Sequence, residues 1–148
     1  MIKLIVVGKV KEQFYRDAIK EYQKRLTKYT RLEIVEVADS SLDNNKAIEA
    51  KEILKHINKR DHVITLDISG KEYDSLTFAN FIAKREAQYA NLTFIIGGSN
   101  GIDDSIKTLA NDTISFSKLT FPHQLFRVIF LEQLYRAYKI NNNEAYHK

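Results

Sequence analysis

Short apolar runs alternate with longer amphipathic segments along the whole chain. The apolar runs, rich in β-branched residues, predict strands near 2–7, 32–37, 62–67, 92–96 and 113–117. Apolar positions at helical spacing predict helices near 12–29, 46–59, 75–89, 102–110 and 122–140. We expect the polar stretch 38–45 to be a mobile loop and 69–71 to be a turn. The alternation predicts one α/β domain over residues 1–148, a mostly parallel sheet with helices on both faces.

The last predicted helix has an unusually apolar sequence. Between residues 125 and 131 only Arg127 is polar, so the apolar surface runs round the helix and predicts burial on all sides. A sheet covers one side of such a helix, and a second subunit would cover the other, which predicts a homodimer. The alternative, an interior helix of a monomer, stays open. Glu132 and Arg136 are four residues apart and are expected to pair.

A glycine-rich segment, 97–101, directly follows the fourth predicted strand. Glycine allows close backbone approach, and ligand sites in parallel sheets lie beyond the carboxyl ends of strands. The segment fits neither the dinucleotide fingerprint nor the phosphate-binding loop. It does match G-x-S-x-G, so a serine hydrolase using Ser99, Asp112 and His123 or His147 is a minor alternative. Its weakness is that Asp112 precedes a strand instead of following one.

Two further residues stand near the start of the last helix. Pro122 and His123 occupy what the pattern predicts to be its first turn, where proline is favoured. Thr120 is the expected N-cap of this helix. We therefore interpret His123 as structural.

The distribution of charge limits the classes of function. The net charge is +4, but residues 1–31 hold nine Lys and Arg against three acidic residues. Arg16, Lys20, Lys24 and Lys28 form a stripe on the first predicted helix, which is either a phosphate-binding surface or a solvated face. The chain has no cysteine and its four histidines are dispersed, so no disulfide and no metal site are expected. The first apolar run is too short for a signal peptide or membrane span, which predicts a cytoplasmic protein.

Several segments, in the right order, resemble the RlmH family of SPOUT-class RNA methyltransferases. They are 63–67, 94–101, 115–124, 134–138 and 146–148, and the similarity runs from Met1 to Lys148. The resemblance implies a SPOUT-type fold whose C-terminal segment threads a trefoil knot, and an obligate homodimer. It implies methylation of N3 of a pseudouridine in 23S ribosomal RNA, on the assembled ribosome, with S-adenosylmethionine as cofactor.

The resemblance also assigns site residues. It implies that the cofactor is bound by Leu66, Gly97, Phe116, Ser117, Lys118, Leu119, Thr120 and Phe121. It implies a catalytic tail at Tyr146 and His147. Methyl transfer mainly needs alignment, and the N3 proton must also leave. His147 is the predicted base, with Tyr146 orienting or stacking on the nucleobase. The alternative of another class is a non-enzymatic RNA-binding or ribosome-associated factor, which needs no cofactor pocket.

Overall fold

The computed structural model describes residues 1–39 and 45–148, which form alternating strands and helices. The elements in chain order are β1 (Ile2–Val7), α1 (Gln13–Leu26), β2 (Leu32–Val37), α2 (Asn45–Leu54), β3 (His62–Glu72), α3 (Ser75–Gln88), β4 (Leu92–Ile96), α4 (Asp104–Leu109), β5 (Asp112–Ser115) and α5 (His123–Asn141). Each predicted element is confirmed, with its ends shifted by a few residues. The predicted mobile loop falls mostly on residues 40–44, which lie outside the described residues.

The strands form one parallel sheet in the order β2-β1-β4-β3-β5. Side chains alternate along β1, so that Leu4 and Val6 pack on one face while Ile5 and Val7 pack on the other. Helices α1, α3 and α5 cover the first face, and α2 and α4 cover the second. This confirms the predicted α/β class with helices on both faces.

Strand β3 corrects the predicted turn at 69–71, because it continues to Glu72. Ile114 of β5 pairs first with Leu66 and again with Lys71, so the ladder shifts register between these two contacts. Gly70 permits the shift, since a Cβ there would lie 2.6 Å from the carbonyl carbon of Thr113. Two backbones therefore touch where the sequence suggested an open turn. That the C-terminal segment threads a trefoil knot stays a prediction.

Helix α5 reverses the expected pattern of burial. Arg127, the polar residue of the apolar stretch, is 2% exposed, whereas Leu125, Val128 and Ile129 are only half-buried. The buried face follows helical spacing through Arg127, Phe130, Leu131 and Leu134. The sheet side of α5 is therefore buried within the protomer, and burial of its other side by a second subunit stays a prediction. Among the described residues, no helix is long and apolar enough to cross a membrane.

Candidate active site

A cleft opens at the carboxyl ends of β3, β4 and β5, where the sequence predicted a ligand site. It encloses about 640 Å³ of space, part of which is open to solvent. Of the eight residues that the resemblance assigned to the cofactor, seven line it: Leu66, Gly97, Phe116, Ser117, Leu119, Thr120 and Phe121. The eighth, Lys118, lies in the same loop but is exposed and does not line the cleft.

The glycine segment forms one wall by folding onto itself. A Cβ on Gly97 would lie 2.6 Å from the carbonyl oxygen of Gly101 and 2.8 Å from Cγ1 of Ile102. Gly101 has a φ of +83°, and its N–H donates to the carbonyl oxygen of Gly98 at 3.0 Å. The sequence suggested that Gly97 leaves room for a ligand. In the structure its first role is to let this loop pack against its own backbone.

The opposite wall is aromatic and held in place by its neighbours. The ring of Phe116 meets those of Phe78 and Phe126 edge-on, with centroids 5.4 and 5.3 Å apart. The following loop is ordered by local hydrogen bonds: the Ser115 hydroxyl donates to the Ser117 carbonyl oxygen at 3.0 Å, and the Leu119 N–H donates to the Ser117 hydroxyl at 2.9 Å. The cleft is thus a preorganised apolar slot with polar backbone at its rim.

Asp67 lines the cleft, although the resemblance assigned it no role. Burial raises the pKa of the Asp67 carboxyl, but hydrogen bonds from Ser69 and the charge of Lys107 outweigh burial and hold it below the ordinary value. The Lys107 ammonium lies 3.5 Å from the carboxylate. Asp67 is therefore an ionised hydrogen-bond acceptor at the edge of the cleft.

His123 and Phe126 were also missed as cleft residues. Helix α5 begins at His123, with Pro122 at the cap position and no side-chain cap, so the prediction of Thr120 as N-cap is wrong. Thr120 lines the cleft instead. Helical spacing was the usable signal, because residues three apart at the start of a helix share a face, and this face directly follows the cleft-lining residues 116–121.

The predicted catalytic tail lies along α5 and does not line the cleft. The Tyr146 ring packs edge-on against Tyr135 with centroids 4.9 Å apart, and its hydroxyl donates to Glu132 at 3.3 Å. Arg136 donates to Glu132 through Nε at 2.9 Å and Nη2 at 2.5 Å, which confirms the predicted pair. Burial raises the pKa of Tyr146 to about 12. The phenol is therefore protonated at neutral pH and acts as a donor.

His147 is held by the same arginine. Nη1 of Arg136 donates to Nδ1 of His147 at 3.1 Å. Since a guanidinium has no acceptor, Nδ1 must be the acceptor, and a neutral ring then carries its hydrogen on Nε2. Along α5, Arg136 lies about 20 Å beyond His123 at roughly 1.5 Å per residue. The basic nitrogen of His147 is thus already engaged, on a part of α5 far from its cleft end.

The hydrolase triad does not assemble. Ser99 is exposed at the glycine turn, whereas Asp112 lies at the opposite, amino end of β5. Asp112 accepts hydrogen bonds from Arg85 at 2.9 and 3.1 Å and contacts His62 Nε2 at 2.6 Å. Burial raises the pKa of Asp112, but these bonds outweigh it and keep the carboxyl below its ordinary value. Within residues 1–39 and 45–148, no cluster of three or more His, Cys, Asp or Glu side chains could hold a metal ion.

Known proteins with the same architecture settle the family. The family described as "Predicted SPOUT methyltransferase" matches residues 1–147. The chain belongs to the SPOUT methyltransferase family. A solved structure of "a probable methylase family protein" from Haemophilus influenzae Rd KW20 has a TM-score of 0.60 at 12% identity, over 99% of this chain and 70% of its own. That likeness shows the fold.

Relatives that match over nearly the whole chain carry the name "Ribosomal RNA large subunit methyltransferase H". The protein from Streptococcus uberis is 47% identical over 99% of both chains. The protein from Caldicellulosiruptor saccharolyticus is 42% identical over the full length of both, and that from Clostridium botulinum strain Kyoto is 48% identical over 99% of both. These full-length similarities confirm the resemblance predicted from the sequence.

Proposed function

We propose that this SPOUT methyltransferase transfers the methyl group of S-adenosylmethionine to N3 of a pseudouridine in 23S ribosomal RNA, as a homodimer acting on the assembled ribosome. The cleft at the carboxyl edge of the sheet carries the proposal, because seven of the eight residues that the resemblance assigned to the cofactor line it together. The name of the relatives, which are 42–48% identical, supports large-subunit ribosomal RNA as the substrate.

The cleft residues fit this cofactor. Leu66, Ile96 and Phe116 supply apolar surface for the adenine ring. Asp67, ionised and half-buried, offers a carboxylate to ligand hydroxyl groups. When bound, S-adenosylmethionine supplies a methyl group already activated on a sulfonium. The protein's task is then to hold donor and acceptor in line, which contributes several kcal/mol to catalysis, up to about 7–11 kcal/mol in ideal cases.

The proposed base must be released before it can act. Nucleophilic attack by N3 requires loss of its proton, and His147 is the candidate acceptor. Its Nδ1 lone pair is occupied by the hydrogen bond from Arg136. We infer that His147 leaves Arg136 when the tail reaches the substrate. Tyr146, protonated at neutral pH, would orient or stack on the nucleobase and would not take the proton.

A second copy of the chain would bring tail and cleft together. Leu125, Val128 and Ile129 form a half-buried apolar strip on α5, next to the helix residues that line the cleft. A partner covering this strip would lie beside the cleft, and its own tail would reach it. The site would then be composite, with the cofactor on one subunit and the base from the other.

Two measurements test the proposed function. Calorimetric titration should show binding of S-adenosylmethionine, and single-turnover assays should show methyl transfer to ribosomes whose pseudouridine is unmethylated. Ribosomes with uridine at that position are the control for the acceptor. Failure to bind the cofactor would favour the non-enzymatic RNA-binding factor. Ser99→Ala should leave methyl transfer intact, because Ser99 has no role in the proposed reaction. Loss of all activity in this variant would instead favour the serine hydrolase.

The role of the tail has its own variant. His147→Ala should fold, dimerise and bind cofactor like the unmodified protein, yet lose turnover. The measurement is the single-turnover rate of methyl transfer to unmethylated ribosomes by the unmodified enzyme and by the variant. An unchanged rate in His147→Ala would remove the tail from the chemistry and leave alignment in the cleft as the whole mechanism.

A further inference from the structure

A second cleft lies between α1 and the carboxyl ends of β1 and β2. It has an empty volume of about 1070 Å³. Four cationic side chains, Lys9, Arg16, Lys20 and Arg127, line it together with a single carboxylate, Glu36. Lys20 and Arg16 are exposed, and Arg16 also donates through Nη1 to the Val10 carbonyl oxygen at 3.3 Å. We call it the basic cleft.

The floor of the basic cleft is a buried guanidinium. Arg127 donates through Nη2 to the carbonyl oxygens of Val7 and Gly8, both at 2.8 Å, and through Nη1 to Glu36 at 3.0 Å. Its Nε–H is buried and has no acceptor among the described residues. Burial lowers the pKa of Arg127 from its ordinary value, and Glu36 opposes that effect without cancelling it. The guanidinium beneath the cleft is thus held in place by two backbone carbonyls and an ion pair with Glu36.

The basic cleft lies beside the cofactor cleft, and the first turns of α5 separate the two. His123 and Phe126 line the cofactor cleft. On the next face of the helix, Gln124 accepts the Lys11 N–H at 3.0 Å and Arg127 forms the floor described above. Strand β1 is separated from β3 by β4 alone, so the two sites are about 10 Å apart at about 4.8 Å per strand. About three stacked nucleotides, at about 3.4 Å each, span that distance.

The basic stripe is formed by Arg16, Lys20, Lys24 and Lys28, and its second half lies at a different part of the surface. Lys24 and Lys28 line a different depression, formed with Tyr29 to Leu32 where β2 begins. That is the amino edge of the parallel sheet. Lys28 is also paired with Glu144 at 3.1 Å. The stripe therefore divides into a half beside the cofactor cleft and a half at the opposite edge.

We propose that the basic cleft binds a backbone phosphate of the RNA that carries the target nucleotide, through Lys9, Arg16 and Lys20 above the buried Arg127. This inference rests on the proposed function, because it takes RNA to be the substrate. Lysine and arginine grip phosphates without reading sequence and so set the position of the strand. A strand anchored there passes the cofactor cleft after a few nucleotides.

Matched substitutions in α1 test the proposal. Lys20→Gln and Arg16→Gln each remove one charge beside the basic cleft, whereas Lys24→Gln removes one charge from the same helix at the other edge. The KM for unmethylated ribosomes is measured at several salt concentrations. Each lost phosphate contact should raise KM. It should also reduce the steepness of the plot of log(1/KM) against log salt concentration by about 0.7–0.9. Lys24→Gln should keep the slope of the unmodified protein, and all variants should keep kcat and the affinity for S-adenosylmethionine.

The outcomes separate this inference from the proposed function. An unchanged salt slope in the double variant Arg16→Gln/Lys20→Gln would overturn the proposal that the basic cleft binds phosphate. An equal reduction of the slope in Lys24→Gln would also overturn it. A protein-free ribosomal RNA fragment is the second probe. If the double variant loses affinity for ribosomes but not for the fragment, the partner is an acidic protein surface and the RNA proposal is wrong. If the unmodified chain transfers no methyl group, the proposed function fails, while fragment binding still tests the cleft.

Discussion

Gly97 and Arg127 owe their positions to backbone atoms that they contact. Gly97 is packed against the carbonyl of Gly101, and Arg127 bonds the carbonyls of Val7 and Gly8. Neither contact joins residues of one helix or strand. The candidate site therefore depends on the missing side chain of Gly97 as much as on the long side chain of Arg127.

Adjacent glycines of the same loop give a matched test. Gly97→Ala should shift the loop, because its Cβ would meet fixed backbone at 2.6 Å. At Gly98 the nearest atoms are side-chain atoms of Val7 and Glu49, at 3.1 and 3.2 Å, which can move. We expect Gly97→Ala to weaken S-adenosylmethionine binding at least about tenfold, or about 1.4 kcal/mol, and Gly98→Ala to change it far less. Calorimetry on both variants checks this, and equal affinities would contradict it.

Helix α5 joins the two candidate surfaces because its faces differ. One face packs Phe130, Leu131 and Leu134 into the core. The other exposes the strip of Leu125, Val128 and Ile129, which are only half-buried. An apolar strip of this kind beside a site is typical of an interface.

A charge in that strip should separate the subunits. Ile129→Glu would have to bury a carboxylate without a partner in a dimer, so we expect a folded monomer. Ile129 is partly exposed in the protomer, which is why folding should survive. Lys84→Glu, on the exposed face of α3, controls for added negative charge and should stay dimeric. Sedimentation at micromolar concentration decides, and a monomeric unmodified chain would rule out the interface.

One carboxylate ties the C-terminal segment to α5 and to the residues that follow α1. Glu144 accepts hydrogen bonds from Tyr29 at 2.8 Å, Lys28 at 3.1 Å and Lys139 at 3.2 Å. The bonds from Tyr29 and then Lys28 are the main reasons that the pKa of Glu144 falls to about 2, from an ordinary 4.5. The ionised form is therefore favoured in the folded protein.

This pKa sets the pH range in which the stabilisation by ionised Glu144 should be lost. A lowered pKa means that Glu144 stabilises the fold fully above pH 4.5 and loses that effect as the pH falls toward about 2. Glu144→Gln should lower the free energy of unfolding at neutral pH, and the difference from the unmodified protein should narrow at about pH 3. Urea denaturation at the two pH values measures it. A difference independent of pH would mean that the charge of Glu144 is not responsible.

At the scale of the whole molecule, the cofactor cleft and the tail are set at different places along α5. The cleft meets its first turns at His123 and Phe126, whereas the tail rests on Glu132 and Arg136. A composite site predicts that two inactive variants with different defects can restore each other. A site built within one chain predicts that they cannot.

Mixed dimers test this directly. Leu119→Asp should block the cofactor cleft without unfolding the protein, since Leu119 is 71% exposed. His147→Ala should disable the tail. Each variant alone should be inactive, but after subunit exchange half of the dimers would hold one intact site, so about a quarter of normal activity should return. Methyl transfer by the exchanged mixture is the measurement, and the absence of any recovery would contradict a shared site.

Local patterns predicted the elements and the position of the cleft correctly. The strands were found because their apolar runs are short and β-branched, and the glycines after β4 marked an edge where side chains are absent. Family resemblance then selected residues such as Leu66 and Phe116. The end of β3 was missed because Gly70 is paired through contact with β5, which no local pattern reports. Thr120 was misassigned because α5 starts after Pro122 without a side-chain cap.

The sequence by itself determined the order of strands and helices, the α/β class and the edge of the sheet at which the cleft opens. These follow from side-chain periodicity over a few residues and from the direction of parallel strands. Only the tertiary structure decided that Arg127 is buried, that the basic stripe divides, and that Arg136 holds His147. The contacts of Arg127 join residues 91 to 120 positions apart. Such contacts depend on how the helices pack on the sheet. Periodicity along one helix does not specify which of its faces packs against the sheet.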